Sequence, residues 1–146
     1  MQLRAGVAGD ASSIRALLEV NSLPTSDLAR SSSQFIVACD EADRIVAAGA
    51  LQPFGESALL RSVVVIPELR GTGLGQRLVH ELERIARTAQ VKKLGLLTLT
   101  AQRFFERQGY EVIVRQAMPR ALQDSDEFRS LCPESAVCMV KSLVDV

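Results

Sequence analysis

The segment Arg70-Gly71-Thr72-Gly73-Leu74-Gly75 constrains this chain more than any other stretch. It follows an apolar run, Leu59-Leu60-Arg61-Ser62-Val63-Val64-Val65-Ile66, that reads as a buried strand ended by Pro67. Behind it Leu74, Leu78, Leu82 and Ile85 recur on one face of a helix that starts inside the glycine segment and is expected to run to about Thr88. The order is strand, glycine loop, helix N-terminus. Glycines at alternate positions let a backbone approach a ligand closely. The first N–H groups of a helix lack intrahelical partners and carry the positive end of its dipole. A loop so built takes phosphate oxygens. Arg70 and Arg77 add charge on either side. The plainer alternative is a solvated turn that only starts a helix.

Two common phosphate loops are excluded. No Gly-Lys-Ser/Thr follows, so this is not a P-loop. The third glycine of a dinucleotide fingerprint would fall at Gln76.

The chain has 146 residues, which suits one domain, residues 1–146, around one core. Seventeen basic and seventeen acidic side chains cancel, so no basic surplus points to nucleic acid or an anionic membrane. No apolar run has the length of a membrane span, and Met1–Ala5 lacks a signal peptide's apolar stretch. A cytoplasmic location is expected. Cys39, Cys132 and Cys138 are odd in number and not spaced as metal ligands, and there is one histidine, His80. The cysteines read as small buried apolar side chains, His80 as a solvated helix residue, and no metal is expected.

Taken in order, Gln2–Ala5 is a strand candidate. Asp10 then caps a helix to about Val20, with Ile14, Leu17 and Leu18 at helical spacing. Thr25–Arg30 reads as a short second helix and Ser31–Ser33 as loop, a region that is either a connector or a flap. Phe35–Cys39 and Arg44–Leu51 form a hairpin candidate, with Gln52–Glu56 as the turn into the next strand. Lys93–Thr98 is a strand separated from its predecessor by a helix, which makes parallel pairing natural. Ala101–Gln108 reads as a short helix stopped by Gly109, Tyr110–Val114 as a strand, Pro119–Leu131 as irregular to helical, and Ala136–Leu143 as a last strand.

Arg70-x-x-Gly73-x-Gly75 behind Val63-Val64-Val65-Ile66-Pro67 resembles the acetyl-CoA loop of the GNAT superfamily of N-acetyltransferases, which has the form Arg/Gln-x-x-Gly-x-Gly/Ala. Ala101-x-x-Phe104-Phe105-x-x-x-Gly109-Tyr110 resembles that superfamily's signature Ala-x-x-Phe-Tyr-x-x-x-Gly-Phe. The element order resembles a GNAT domain from end to end. It implies an α/β (α+β) fold, a mixed, mostly antiparallel twisted sheet of about six to seven strands flanked by about four helices. A narrower resemblance rests on Leu59-Leu60-Arg61-Ser62-Val63, Leu96-Leu97-Thr98-Leu99-Thr100-Ala101, Phe104-Phe105 and Phe128-x-x-Leu131-Cys132-Pro133-x-Ser135-Ala136. These look like the small N-acetyltransferases of bacterial arsenic-resistance operons, themselves similar to N-acetylglutamate synthase domains. Pro119-Arg120-Ala121, and Ser135 near Lys141, add to the latter likeness.

The resemblance implies transfer of acetyl from acetyl-CoA, as cosubstrate, to the amine of a small acceptor that is amino-acid-like, arsinothricin-like or glutamate-like. Arg70, Gly71, Thr72, Gly73, Leu74, Gly75 and Gln76 would hold its pyrophosphate. The backbone of Val63, Val64 and Val65 would pair with the pantetheine arm, and an N–H there would polarise the thioester carbonyl. A bulge at that point would aim it. An alkyl ammonium has a pKa of about 10, so a base helps, and Glu56 is the acid nearest in sequence; a solvated turn residue is its plainer reading. Many GNAT enzymes place a Tyr general acid where this chain has Phe105. That departure leaves Thr98, Thr100 or water to assist the thiolate, and keeps open a non-catalytic acyl-CoA-binding module that senses or regulates. Protein acetylation is a third reading. Arg61 is the first candidate for an acceptor oxyanion, an outward-facing strand position being the alternative; Ser135, Arg120 and Leu23 are further candidates. The superfamily often dimerises through its C-terminal strands, so a homodimer is one expected state.

Overall fold

A computed structural model describes residues 1–23, 25–26, 33–131 and 135–144. Residues 27–30 of the expected helix over Thr25–Arg30, most of Ser31–Ser33, and Cys132 fall outside the described residues. The first three strands, β1 (Gln2–Ala5), β2 (Gln34–Cys39) and β3 (Ile45–Phe54), run into β4 (Ser57–Val65) as an antiparallel meander. Helix α1 (Ala11–Val20) lies between β1 and β2, and α2 (Leu74–Thr88) follows β4. Then come β5 (Lys93–Thr98), α3 (Gln102–Arg107), β6 (Glu111–Val112), α4 (Arg120–Gln123), a π-helical turn at Glu127–Leu131, and β7 (Val137–Ser142). The seven strands form one sheet in the order β1-β2-β3-β4-β5-β7-β6. Among the described strands only β4 and β5 pair in parallel, as a helical crossover between them requires.

The two sheet faces bury different partners. Leu74, Leu78, Leu82 and Ala86 of α2 pack on Ile36, Ala47, Leu51, Leu60 and Leu94. Gly49 makes that approach close: a Cβ there would stand 2.8 Å from Leu82 Cδ1. On the other face Ile14 and Leu18 of α1 cover Val37, Ala48 and Val64, while Met118, Leu122 and Phe128 cover Leu59 and Cys138. Cys39 and Cys138 are free thiols, both buried, and burial pushes the Cys138 thiol up.

Several elements depart from the sequence reading. The strand β3 runs on through Pro53 to Phe54, leaving Gly55-Glu56 as the turn. Partner β2 ends opposite Leu51, so the missing N–H of Pro53 faces no described strand. The strand expected over Tyr110–Val114 shortens to Glu111–Val112, because the chain turns at Arg115–Ala117, where Arg115 Nη1 donates to the Phe128 carbonyl at 2.9 Å. Asp10 does not cap α1 through its side chain. Its carboxylate instead accepts two hydrogen bonds from Arg4, at 2.8 and 3.0 Å, and one from the Val7 N–H at 2.8 Å.

The Arg4 guanidinium first, and the Val7 N–H second, hold the Asp10 carboxyl at about 2 against an ordinary 3.8. A depressed folded value means a stabilising contribution that is whole above pH 3.8 and lost as pH falls toward 2. The melting-temperature gap between the wild type and Asp10→Asn is expected to be constant near neutrality, to narrow through that window and to close below it. A gap unchanged across the window would refute this assignment.

Candidate functional site

The pairing of β4 with β5 covers only Ser57↔Lys93, Ala58↔Leu94 and Leu59↔Gly95. Beyond Leu59 and Gly95 the strands part, and a cleft opens between them. At the same point β4 carries a bulge. Its register against β3 steps from Ala50↔Arg61 to Ala48↔Val64, so Gly49 opposes two residues, Ser62 and Val63. Ser62 takes φ 58°, a left-handed conformation rare for a non-glycine residue and one that a bulge imposes. A bulged residue is left out of the ladder, which interrupts the pairing of this stretch with β3.

The outer part of the cleft is about 630 Å³ and runs from Val63, Val64 and Val65 along Arg70, Gly71, Gly73, Gly75 and Gln76 to Phe104 on α3. Gly73 is the N-cap of α2, with φ 86°, ψ 0° and no side chain capping the helix. This is backbone that side chains strongly disfavour, and it leaves the first N–H groups of a 15-residue helix facing the loop. Thr72 and Leu74 turn away: the Thr72 hydroxyl donates to the Leu69 carbonyl at 2.6 Å, and Leu74 is buried in the core. Arg70 brackets the loop. Its Nε donates to the Val65 carbonyl at 3.0 Å and its Nη2 to Asn21 Oδ1 at 2.8 Å, tying the loop to the end of α1. Arg103 and Arg107, one turn apart on α3, also line the cleft, and among the described residues its lining includes no acidic side chain. Three guanidinium groups with no opposing carboxylate make this a basic cleft suited to a polyanion. Reading by motif passed over Arg103 and Arg107; their four-residue spacing on a short helix was the available signal.

The inner part is a smaller cavity of about 230 Å³. Leu23, Val63, Thr100 and Phe105 line both parts and mark the junction. The inner cavity adds Arg61, Ser62, Thr98 and Glu127. Arg61 is not an outward-facing strand residue: it is 3% exposed, with Nη1 donating to Gln52 Oε1 at 3.2 Å. Thr98 Oγ1 accepts the Ala101 N–H at 3.0 Å, which fixes the entry into α3. Phe105 is buried and stacks edge-on with Phe104 and Tyr110. Glu127, on the π-helical turn, is buried at 5% exposure and was not singled out from the sequence.

Other expected residues are not brought here. Glu56 sits exposed in the turn before β4, ion-paired with Lys92 at 3.3 Å. Seven residues of strand put it about 20 Å from Val63, so it is far from the junction. Arg120 is exposed on α4 and Ser135 is exposed one residue before Ala136; of these three, only Ala136 lines the inner cavity. Among the described residues no group of three or more His, Cys, Asp or Glu is placed to hold a metal ion. Nor is any described helix long and apolar enough to cross a membrane.

Comparisons with known proteins agree with this geometry. The family model described as the acetyltransferase (GNAT) domain matches residues 31–112. An uncharacterised N-acetyltransferase of Chlorobaculum tepidum is 33% identical in an alignment of 91 residues that covers 59% of this chain and 56% of that protein, so the match spans little more than half of this relative. Among solved structures, Rv2747 of Mycobacterium tuberculosis, in complex with CoA and NLQ, superposes with a TM-score of 0.82 at 22% identity, over 99% of this chain and 100% of its own. The N-acetylglutamate synthase of Neisseria gonorrhoeae, complexed with coenzyme A and N-acetyl-glutamate, gives 0.81 at 18% identity, over 99% of this chain and 36% of its own. At such identities the structures speak for the fold. With more than half of the sequence matched by the family model and the bulged strand, glycine loop and splayed sheet all in place, the chain belongs to the GNAT acetyltransferase domain family.

Proposed function

We propose that this protein is an acetyl-CoA-dependent N-acetyltransferase that acts directly on the amino group of a small amino-acid-like acceptor. The observation that carries the reading is the bulge at Ser62–Val63, which stands where β4 leaves β5 and between a basic outer cleft and a small inner one. The outer cleft fits acetyl-CoA: exposed glycine backbone, an uncapped helix N-terminus and three arginines suit its phosphates. When bound, acetyl-CoA supplies a thioester whose carbonyl carbon accepts the amine and whose sulfur leaves. Backbone groups of Val63–Val65 align the arm that carries it, and an N–H at Val63 or Val64 receives the carbonyl oxygen as charge grows there. Phe105 walls the junction against water and has no proton to give. Thr100 lines both clefts, which supports its hydroxyl as the proton donor.

The inner cavity is below the roughly 300–1,000 Å³ of sites for drug-sized ligands, which favours a compact acceptor over a polypeptide. The buried Arg61 guanidinium suits a carboxylate or another oxyanion. Glutamate-like and arsinothricin-like amino acids both have that chemistry, and a role in arsenic resistance rests on the latter. A cytoplasmic location and a homodimer remain part of the proposal.

Thiol release from acetyl-CoA against a panel of amino acids, with arsinothricin and phosphinothricin included, tests the reading. Turnover on one of them is the expected result. Tight acetyl-CoA binding without turnover on any amine would replace it with a sensing module. Within the same assay, Arg103→Ala and Arg107→Ala are each expected to raise KM for acetyl-CoA by about 5-fold, the scale of about 1 kcal/mol for a partly exposed charge pair. That effect should shrink as ionic strength rises; equal effects at low and high salt would argue against a phosphate contact.

A further inference from the structure

We propose that Glu127 receives the acceptor's ammonium group in the inner cleft and takes the proton that the amine must lose before attack. The inference rests on the function proposed above and names the group that function still lacks, since Glu56 is out of reach.

The placement follows from packing. Leu59 and Arg61 share one face of β4. The residue after Glu127, Phe128, is packed with Leu59, Met118 and Leu122 over that same face. The turn that carries it is pinned. Arg115 Nη1 donates to the Phe128 carbonyl at 2.9 Å, and its guanidinium carbon stands 5.6 Å from the centre of the Phe128 ring. Ser125 Oγ donates to the Leu122 carbonyl at 2.7 Å, and the Arg129 N–H donates to the Ser125 carbonyl at 2.9 Å. So the turn that carries Glu127 is held over this face of β4, and Glu127 and Arg61 line one cavity.

Their exposures, 5% and 3%, are unusual for charged residues. Opposite charges in one small cavity offset each other's desolvation. They also present the two signs that a zwitterion carries. An α-amino acid whose carboxylate meets Arg61 brings its ammonium to the Glu127 side of a cavity only about 230 Å³ in size. The Glu127 carboxylate then accepts one ammonium proton and becomes a carboxylic acid. The freed lone pair on nitrogen forms the C–N bond, and the C–S bond breaks with its electron pair on sulfur. The second nitrogen proton passes to that sulfur through water, and Glu127 returns its own proton to solvent.

The test separates recognition from turnover. Wild type and Glu127→Gln are titrated, without acetyl-CoA, with L-glutamate against pentanedioate and with L-alanine against propanoate, followed by ligand-observed NMR. Each pair differs by the ammonium group alone. The wild type is expected to prefer the amino acid, and E127Q to lose about 10-fold or more of that preference while its affinity for the ammonium-free partner holds. In turnover, the acid limb of the kcat/KM profile should move up in E127Q to the pKa of the acceptor amine, with rate restored at a pH where the amine is already neutral. An unchanged preference and an unchanged profile overturn the proposal. Should E127Q fail to fold, Glu127→Asp carries the same comparison, because withdrawing the carboxylate by one methylene keeps the charge; an undiminished preference there overturns it equally. A wild type that prefers neither amino acid also overturns it. Thiol release with other amines would then still stand for acetyl transfer, so the two failures are distinguishable.

Discussion

Glu83→Ala is expected to cost the fold about 3–5 kcal/mol, the scale for removing one partner of a buried ion pair. Glu83 of α2 is 2% exposed and serves three elements at once. Its Oε2 accepts the Tyr110 hydroxyl at 2.9 Å, and its two oxygens accept Lys141 Nζ of β7 at 3.2 and 3.0 Å. Lys141 also donates to the Gln108 carbonyl at 2.8 Å, beneath the end of α3, and stands 5.5 Å from the centre of the Tyr110 ring. Truncation leaves the buried Tyr110 hydroxyl without its acceptor and the Lys141 ammonium without its counter-charge, with the Gln108 carbonyl still accepting from it. A domain of this kind is stable by about 5–15 kcal/mol in all, so the loss is a large share. Urea unfolding of the variant should show a lowered midpoint with an unchanged slope. A shift below about 1 kcal/mol would mean that solvent reaches the pair. Burial first, and the Glu83 charge second, push the Tyr110 hydroxyl far above its ordinary 10.0. With the folded value raised, that contribution is whole below pH 10 and erodes above it.

Gly73→Val should act on function rather than on the fold. A Cβ at Gly73 meets nothing within 4 Å, so packing does not oppose it. The backbone does: φ 86° is a genuine outlier for a β-branched residue. The strain, about 1–2 kcal/mol, is relieved if the loop swings to negative φ, and that carries the N–H groups at the start of α2 away from their present direction. Each hydrogen bond to a charged group is worth about 1.5–3 kcal/mol. Losing two weakens acetyl-CoA binding by about 100-fold or more, while the melting temperature moves by only a few degrees. Calorimetric titration with acetyl-CoA checks this. Undiminished affinity in a folded Gly73→Val protein would remove the glycine loop from the binding site.

What could be read without coordinates depended on how local the cause was. The helix over Leu74–Thr88 and the strand over Lys93–Thr98 have strong periodicity and clear punctuation, and both stand within the expected bounds. The loop was legible because glycine has few other reasons to recur at alternate positions. The bulge was not, since Ser62 has no propensity for φ 58°; the register of β3 against β4 imposes it. Glu56 was attractive because it is near in sequence, and β4 carries it about 20 Å away. Glu127 was invisible for the opposite reason: more than sixty residues separate it from Arg61, and only the packing of Phe128 on Leu59 brings the two to one cavity.

The extra residue at the bulge also divides β4 into two grammars. Before it, the even-numbered Ala58 and Leu60 meet α2; after it, the odd-numbered Val63 and Val65 do, and Val64 turns to α1. Inside and outside exchange parity at Ser62, as in a text whose frame shifts by one letter. Substitutions along the strand can be absorbed one at a time, but a single deletion elsewhere in it inverts every later side chain, whereas loss of Ser62 keeps their faces and erases the bulge. A strand so built tolerates a change of letter more readily than a change of length, which ties the spacing between Arg61 and the glycine loop to the fold.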